Sequence, residues 1–220
     1  MTNISISESC KSQLPNLCLG ILEMNVVVGP SGSELLALVV DKIASIHKEI
    51  PLSAISEIPA VKASKESYRL LGKDPSRYRL SADSLLRRVV KGNGLSFVNN
   101  VVDLLNYQSI STGYSICGYD AKSINGAVVL SLGEKDEPYV GIGRGNINIE
   151  NMPVFTDNFG PFGTPTSDST RTAVGKKTTS FLMIYVSFDG AEKLNAIMDD
   201  TKTLYTKYCS ATNISTQIIG

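Results

Sequence analysis

Residues 159–172, FGPFGTPTSDSTRT, gather Thr164, Thr166, Ser167, Asp168, Ser169, Arg171 and Thr172 into one short span. A carboxylate in such a loop can take up a proton or fix a water molecule, which makes Asp168 a catalytic candidate. The guanidinium of Arg171 can clamp a phosphate or a ligand carboxylate through two parallel hydrogen bonds. Thr164, Thr166, Ser169 and Thr172 supply hydroxyls suited to a ribose or an amino group. Gly160 and Gly163 would let the backbone approach a ligand, and the amides of 160–166 could stabilise a developing negative charge. The competing reading is a self-braced turn: Asp168 on nearby amides, Arg171 paired with Asp168, and the hydroxyls capping bends.

Two further clusters could do chemistry. SFVNNVVDLLNYQSI, read as a helix capped by Ser96, carries Asn99, Asn100, Asp103 and Asn106. Asp and Asn compete with the helix backbone for hydrogen bonds, so four of them imply specific partners; Asn106 is the second catalytic candidate. Lys73, Arg77 and Arg79 surround Tyr78 in KDPSRYRL, a pattern suited to a phosphate backbone and a stacked base, or to a solvated turn. Cys117 could act as a nucleophile only with a base or cation beside it, and His47 is the one histidine in the chain. Tyr107, Tyr119, Phe159 and Phe162 could line an aromatic pocket or simply pack in a core.

These residues must be positioned by elements that the hydrophobic pattern announces. LCLGILEMNVVV (17–28) reads as a buried strand stopped by Gly29-Pro30, followed by a helix capped at Ser33 and carrying His47 near its end. Ser64–Leu71 reads as a short helix, and Ser81 as the cap of SADSLLRRVVKG. From Ala127 the period changes to strands: AVVLSLG, PYVGIG, MPVFTD and the nearly continuous TTSFLMIYVSF, which reads as central. An amphipathic helix closes the chain, with residues 210–220 expected as a loose tail. Strand, helices, strands, helix is not βαβ alternation, so the fold class is α+β.

Composition narrows the function. The 220 residues suit one domain, with 42% hydrophobic and 19% charged residues. Lys+Arg and Asp+Glu balance at 21 each, so any nucleic-acid contact must be local. No apolar run approaches a membrane span, and MTNISISESCKSQLPN lacks the pattern of a secretory signal, so no membrane partner and a cytoplasmic location are expected. Cys10, Cys18, Cys117 and Cys209 form no CxxC pair and are expected to be reduced. No metal site and no cofactor are expected, and no GxxxxGK[ST] loop is present.

Residues 81–120 run SADSLLRRVVKGNGLSFVNNVVDLLNYQSISTGYSICGYD. Asn100, Val101, Val102, Asp103, Asn106 and Tyr107, followed by Cys117-Gly118-Tyr119-Asp120, resemble the editing (B-three/B-four) domain of the phenylalanyl-tRNA synthetase beta subunit. GAVVLSLGEKDEPYVGIG resembles the strand, glycine-glutamate and strand that follow there. The resemblance is strongest over 60–220, and the loop 160–172 is closer to freestanding relatives of that domain. It implies a three-layer sandwich of β-sheets and helices, a partner in tRNA or aminoacyl-tRNA, an aromatic or other amino acid as ligand, and hydrolysis of a mischarged ester without any ligase activity. The family's pocket has a histidine at the position of Cys117 and a threonine at that of Leu105. Those departures leave a non-catalytic binder of an amino acid, acylated metabolite or RNA as the alternative.

Overall fold

The computed structural model describes residues 1–220. Its centre is set by two strands too apolar to lie anywhere but inside. In β9 (Ser180–Ser187) every residue after Ser180 is buried, and β9 pairs antiparallel with β2 (Cys18–Asn25) on one side and β3 (Ser115–Asp120) on the other. β10 (Thr212–Ile219) completes this sheet in the order β10-β2-β9-β3. β3 is therefore an outer strand. The second sheet has the order β1-β4-β7-β8, from β1 (Ile4–Ile6), β4 (Val128–Leu132), β7 (Pro153–Asp157) and β8 (Gly160–Gly163), with β1 parallel to β4.

Side chains alternate across a strand, so β9 serves two cores. Leu182, Ile184 and Val186 meet Val128, Leu130, Val154, Phe155 and Phe162 of the second sheet. Phe181, Met183 and Tyr185 point the other way, onto Leu35 and Val39 of α2 (Ser33–Glu49), Val101 and Leu104 of α5 (Asn100–Thr112), and Leu194, Met198 and Tyr205 of α6 (Leu194–Cys209). Each such side chain taken from water contributes roughly 1.5–3 kcal/mol before entropy is subtracted. The result is sheet, sheet, helices: the α+β, three-layer arrangement expected. α3 (Pro59–Leu70) and α4 (Ser81–Val90) flank the helical layer and share a smaller core around Ile46, Val61, Leu86, Val89 and Ile110.

Several boundaries differ from the sequence reading. The expected loose tail is β10, an edge strand laid on β2. α5 begins at Asn100 with Asn99 as its cap, not Ser96, so Phe97 stands outside the helix and is half-exposed. α3 starts at Pro59, a residue preorganised for the first helical position. Ser33 and Ser81 open their helices from inside, with Gly32 and Leu80 at the cap positions. PYVGIG contributes only a two-residue strand, Val140–Gly141, paired with Gly145–Asn146.

Candidate functional site

Of Asn99, Asn100, Asp103 and Asn106, three have structural partners. Asn99 Oδ1 accepts the Val102 N–H at 2.9 Å. Asn100 Oδ1 accepts the Gly29 N–H at 2.9 Å, while its Nδ2 donates to the carbonyls of Val27 and Tyr208 at 2.9 and 3.1 Å. One amide thus ties the β2–α2 loop to the end of α6. Asp103 accepts the Ser31 hydroxyl at 2.6 Å and the Val98 N–H at 2.8 Å. Asn106 has no such duty. It lines a cavity of about 190 Å³ together with Asp168, Ser81, Ser109 and Gly118, on apolar walls that include Leu105, Ile116 and Val174.

Asp168 lines the same cavity. Its Oδ1 accepts the Tyr119 hydroxyl at 2.8 Å and the Thr164 N–H at 3.3 Å, and the Gly118 backbone N–H also supports the carboxylate. The loop carrying it runs beside the open edge of β3, where Cys117 Sγ donates to the Thr164 carbonyl at 3.6 Å. No cation pairs with Asp168; Arg171 does not. Burial disfavours the charged form and outweighs the hydrogen bonds from Tyr119, Thr164 and Gly118, pushing the carboxyl up to about 7. Part of its surface stays open to the cavity.

Ser81 is the member that the sequence did not reveal as a site residue. Its N–H donates to the Pro165 carbonyl at 2.8 Å, so α4 is tied to the Asp168 loop. Its hydroxyl oxygen is enclosed without a hydrogen-bond partner, in a residue that lines the cavity. A serine at a helix start reads as a cap, and no sequence signal distinguishes it from one.

The other loop residues are turned elsewhere. Arg171 makes a two-pronged bond to Asp157, at 3.0 and 2.8 Å, and also donates to the carbonyls of Ser123 and Gly160. The expected Asp168–Arg171 pair is not formed. Burial would raise the Asp157 carboxyl, but the Arg171 hydrogen bond, the N–H groups of Asn125 and Phe159 and the Arg171 charge together hold it below its ordinary value. Thr164 Oγ1 accepts the Thr166 and Ser167 N–H groups, and the Thr164 N–H goes to Asp168, so these amides are not free for a ligand. Thr166 is buried against the Tyr68 hydroxyl at 3.1 Å. Ser169 and Thr172 are buried with their hydroxyls unpartnered. Gly160 has φ +100° and offers its carbonyl to Arg171. Gly163 is bare because a Cβ there would collide with the Tyr119 hydroxyl.

Cys117 and Tyr119 face the core between the sheets rather than the cavity. Burial, reinforced by the Asp168 charge, raises both well above their ordinary values, so Cys117 is a thiol at neutral pH and no nucleophile. His47 is exposed and bonds the Val90 carbonyl at 3.0 Å, giving Cys117 no imidazole partner. In the basic cluster Lys73 and Arg77 lie over the Tyr78 ring, at 4.9 and 5.4 Å from its centroid, and Arg79 pairs with Asp83. Tyr78 therefore already stacks on its own cations. Phe159 is exposed and Phe162 enclosed, and Arg171 lies over both rings. No three His, Cys, Asp or Glu side chains converge as a metal site, and no helix is long and apolar enough to cross a membrane. All four cysteines are free.

Comparison with known proteins places this geometry in context. The family model described as the B3/4 domain matches residues 63–216. No match was found among curated proteins. Among solved structures, the crystal structure of an N-terminal fragment of the phenylalanyl-tRNA synthetase beta-subunit from Pyrococcus horikoshii aligns with 97% of this chain, at 11% identity and a TM-score of 0.49. The chain spans 50% of the length of that fragment.

Proposed function

The chain belongs to the B3/4 domain family, and on that premise we propose that it binds the aminoacylated 3′ end of a tRNA and hydrolyses the mischarged ester with a positioned water. One observation carries the reading: Asn106 and Asp168 line the same cavity. Its size, about 190 Å³, suits one amino-acid side chain, and Leu105, Ile116 and Val174 make its walls apolar.

The chemistry follows from the groups present. A water held between the Asn106 amide and the Asp168 carboxylate attacks the ester carbonyl carbon. Asp168, titrating near 7, accepts the water's proton. The carbonyl oxygen gains negative charge, and the unpartnered Ser81 hydroxyl donates to it. The tetrahedral intermediate then breaks its bond to the ribose oxygen, which leaves with the proton that Asp168 returns. In this reading Asp168 and Asn106 carry the catalytic roles. Thr164 and Tyr119 hold Asp168, and Arg171 braces the hairpin beneath it. The reduced cysteines suit a cytoplasmic protein.

The absence of an imidazole from the cavity favours the second reading, a binder without turnover. A deacylation assay over a panel of mischarged tRNAs separates the two. Hydrolysis that Asp168→Asn abolishes supports the enzyme. Retention of aminoacyl-tRNA at low salt without hydrolysis supports an RNA binder, and neither outcome on any tRNA ends the hydrolase reading and leaves a binder of a free amino acid or an acylated metabolite.

A further inference from the structure

The two four-stranded sheets end in four outer strands, β1, β8, β3 and β10. Such an edge offers unpaired N–H and C=O groups, and folded chains blunt it by shortness, proline, charge or a covering segment. Three of the four edges are blunted here. β1 is only three residues long. β8 has four residues including Pro161, and two of its carbonyls are taken: Phe162 accepts the Ser169 N–H at 2.9 Å and Gly160 accepts from Arg171. β3 is covered by the loop through Thr164 and Asp168.

β10 is the exception. It spans eight residues, TNISTQII, with no charged side chain and no proline, and its outer flank pairs with no strand. Its one irregularity lies between Thr212 and Ser215, and residues 215–219 keep an unbroken register on β2. Thr216 and Gln217 are exposed, while Ile218 and Ile219 are half-buried, one against each core, with surface left to cover. An uncharged strand offers a charged partner no ion pair. A second copy of itself meets no like-charge opposition, and a two-fold axis sets each residue against a mate on the same face of the sheet. The bulge fixes where that axis falls. Centred on Gln217, the pairing uses all of 215–219, with Thr216 opposite Ile218 and Ser215 opposite Ile219. One residue earlier, it draws in Asn213, whose φ is +52°; one residue later, it drops Ser215.

We propose that β10 is a homodimer edge: residues 215–219 pair antiparallel with the same residues of a second copy of this chain, about a two-fold axis at Gln217. The two sheets then become one sheet of eight strands with a β3 at either end, so both copies keep the Asp168 cavity at the edge far from the join. The inference does not depend on the hydrolysis proposed above. One strand pair is a small interface, so the dimer dissociates on dilution. Sedimentation of the chain from about 1 µM to about 1 mM should show a reversible monomer–dimer equilibrium. Gln217→Lys and Gln217→Glu each set like charges opposite one another and should weaken it about fivefold or more. An equimolar mixture of the two variants should dimerise better than either alone, because opposite charges then meet. Gln217 is exposed, so both variants keep the fold, which thermal unfolding verifies. Amide hydrogen exchange should slow within 215–219 as the concentration rises. A wild-type chain that stays monomeric throughout, a dimer that both variants leave unchanged, a mixture no tighter than its components, or protection gained elsewhere than β10 would each overturn the proposal.

Discussion

The hydroxyl of Tyr119 donates to Oδ1 of Asp168 at 2.8 Å from within the core between the two sheets. Tyr119 is wholly buried and its phenol is held well above its ordinary value by burial and by the Asp168 charge, so it remains a donor at every physiological pH. Both geometrically formed side-chain bonds of Asp168 fall on Oδ1, from Tyr119 and from the Thr164 N–H. The Gly118 N–H adds a further donor to the same carboxylate. A core tyrosine thus fixes the orientation of a carboxyl group that lines the cavity.

The pH dependence of stability should report Asp168 directly. Its carboxyl ionises at 3.8 in an ordinary setting and at about 7 in the folded chain. The unfolded state loses its proton first, so this group's contribution is complete below pH 3.8 and is lost as the pH rises through 7. The loss is at most about 4 kcal/mol, and less because one face of the group is open. Asp168→Asn removes the effect. Its unfolding midpoint should exceed that of the wild type at pH 8 and match it near pH 4, measured by urea titration across that range.

Catalysis should show the opposite pattern for the same variant. Wild-type kcat/KM for mischarged tRNA should rise with pH and level off above about 7, where Asp168 is a base. Asp168→Asn should lose roughly 100-fold or more, the usual contribution of a positioned base. Asn106→Ala and Ser81→Ala should each cost about 10- to 100-fold in kcat. Ser81→Ala leaves no partner unpaired, since its hydroxyl has none, so its stability should change by no more than about 0.5 kcal/mol.

Gly163→Ala tests the support behind the carboxylate. The added methyl meets the Tyr119 ring at its hydroxyl end, where the rigid ring cannot swing aside in a packed core. A cost of about 1–3 kcal/mol is expected from overpacking. Tyr119→Phe combined with Gly163→Ala should recover part of it. A full loss that persists in the double variant would show that the strain lies elsewhere.

Arg171→Ala should destabilise the β7–β8 hairpin rather than remove a ligand contact. It strands the Asp157 carboxylate, whose side chain is enclosed, at a cost of about 2 kcal/mol. Arg171→Lys should recover only part, because an ammonium cannot reproduce the two-pronged bond. Asp157 is held below its ordinary 3.8, so the pair's contribution is present above that pH and fades as the pH falls through the lowered value. The gap between wild type and Arg171→Ala should close in acid, read from thermal unfolding at pH 7 and pH 3.

How far the sequence reached depends on how many partners each residue needs. β9 was legible as central because an uninterrupted apolar run has no other place to go. β10 was not, because TNISTQII pairs on one side only and its exposed and half-buried side chains look like those of a tail. Asn106 and Asp168 were legible as candidates, Asn106 because asparagine is costly inside a helix unless it bonds something and Asp168 because its loop concentrates polar side chains. Arg171 was misassigned because Asp168 is three residues away in sequence, whereas Asp157 is brought to it by the turn between β7 and β8. Ser96 and Asn99 are both competent caps, and the bonds of Asn100 and Asp103 to the β2–α2 loop decide between them.

β3 has a neighbour on one flank only, and the loop through Thr164 and Asp168 lies along the other, held by Cys117 and Gly118. A bare strand flank recruits other chains by backbone pairing. The segment that carries Asp168 therefore also plugs a sticky border, and substitutions that loosen it should bring self-association while the helical layer is still intact.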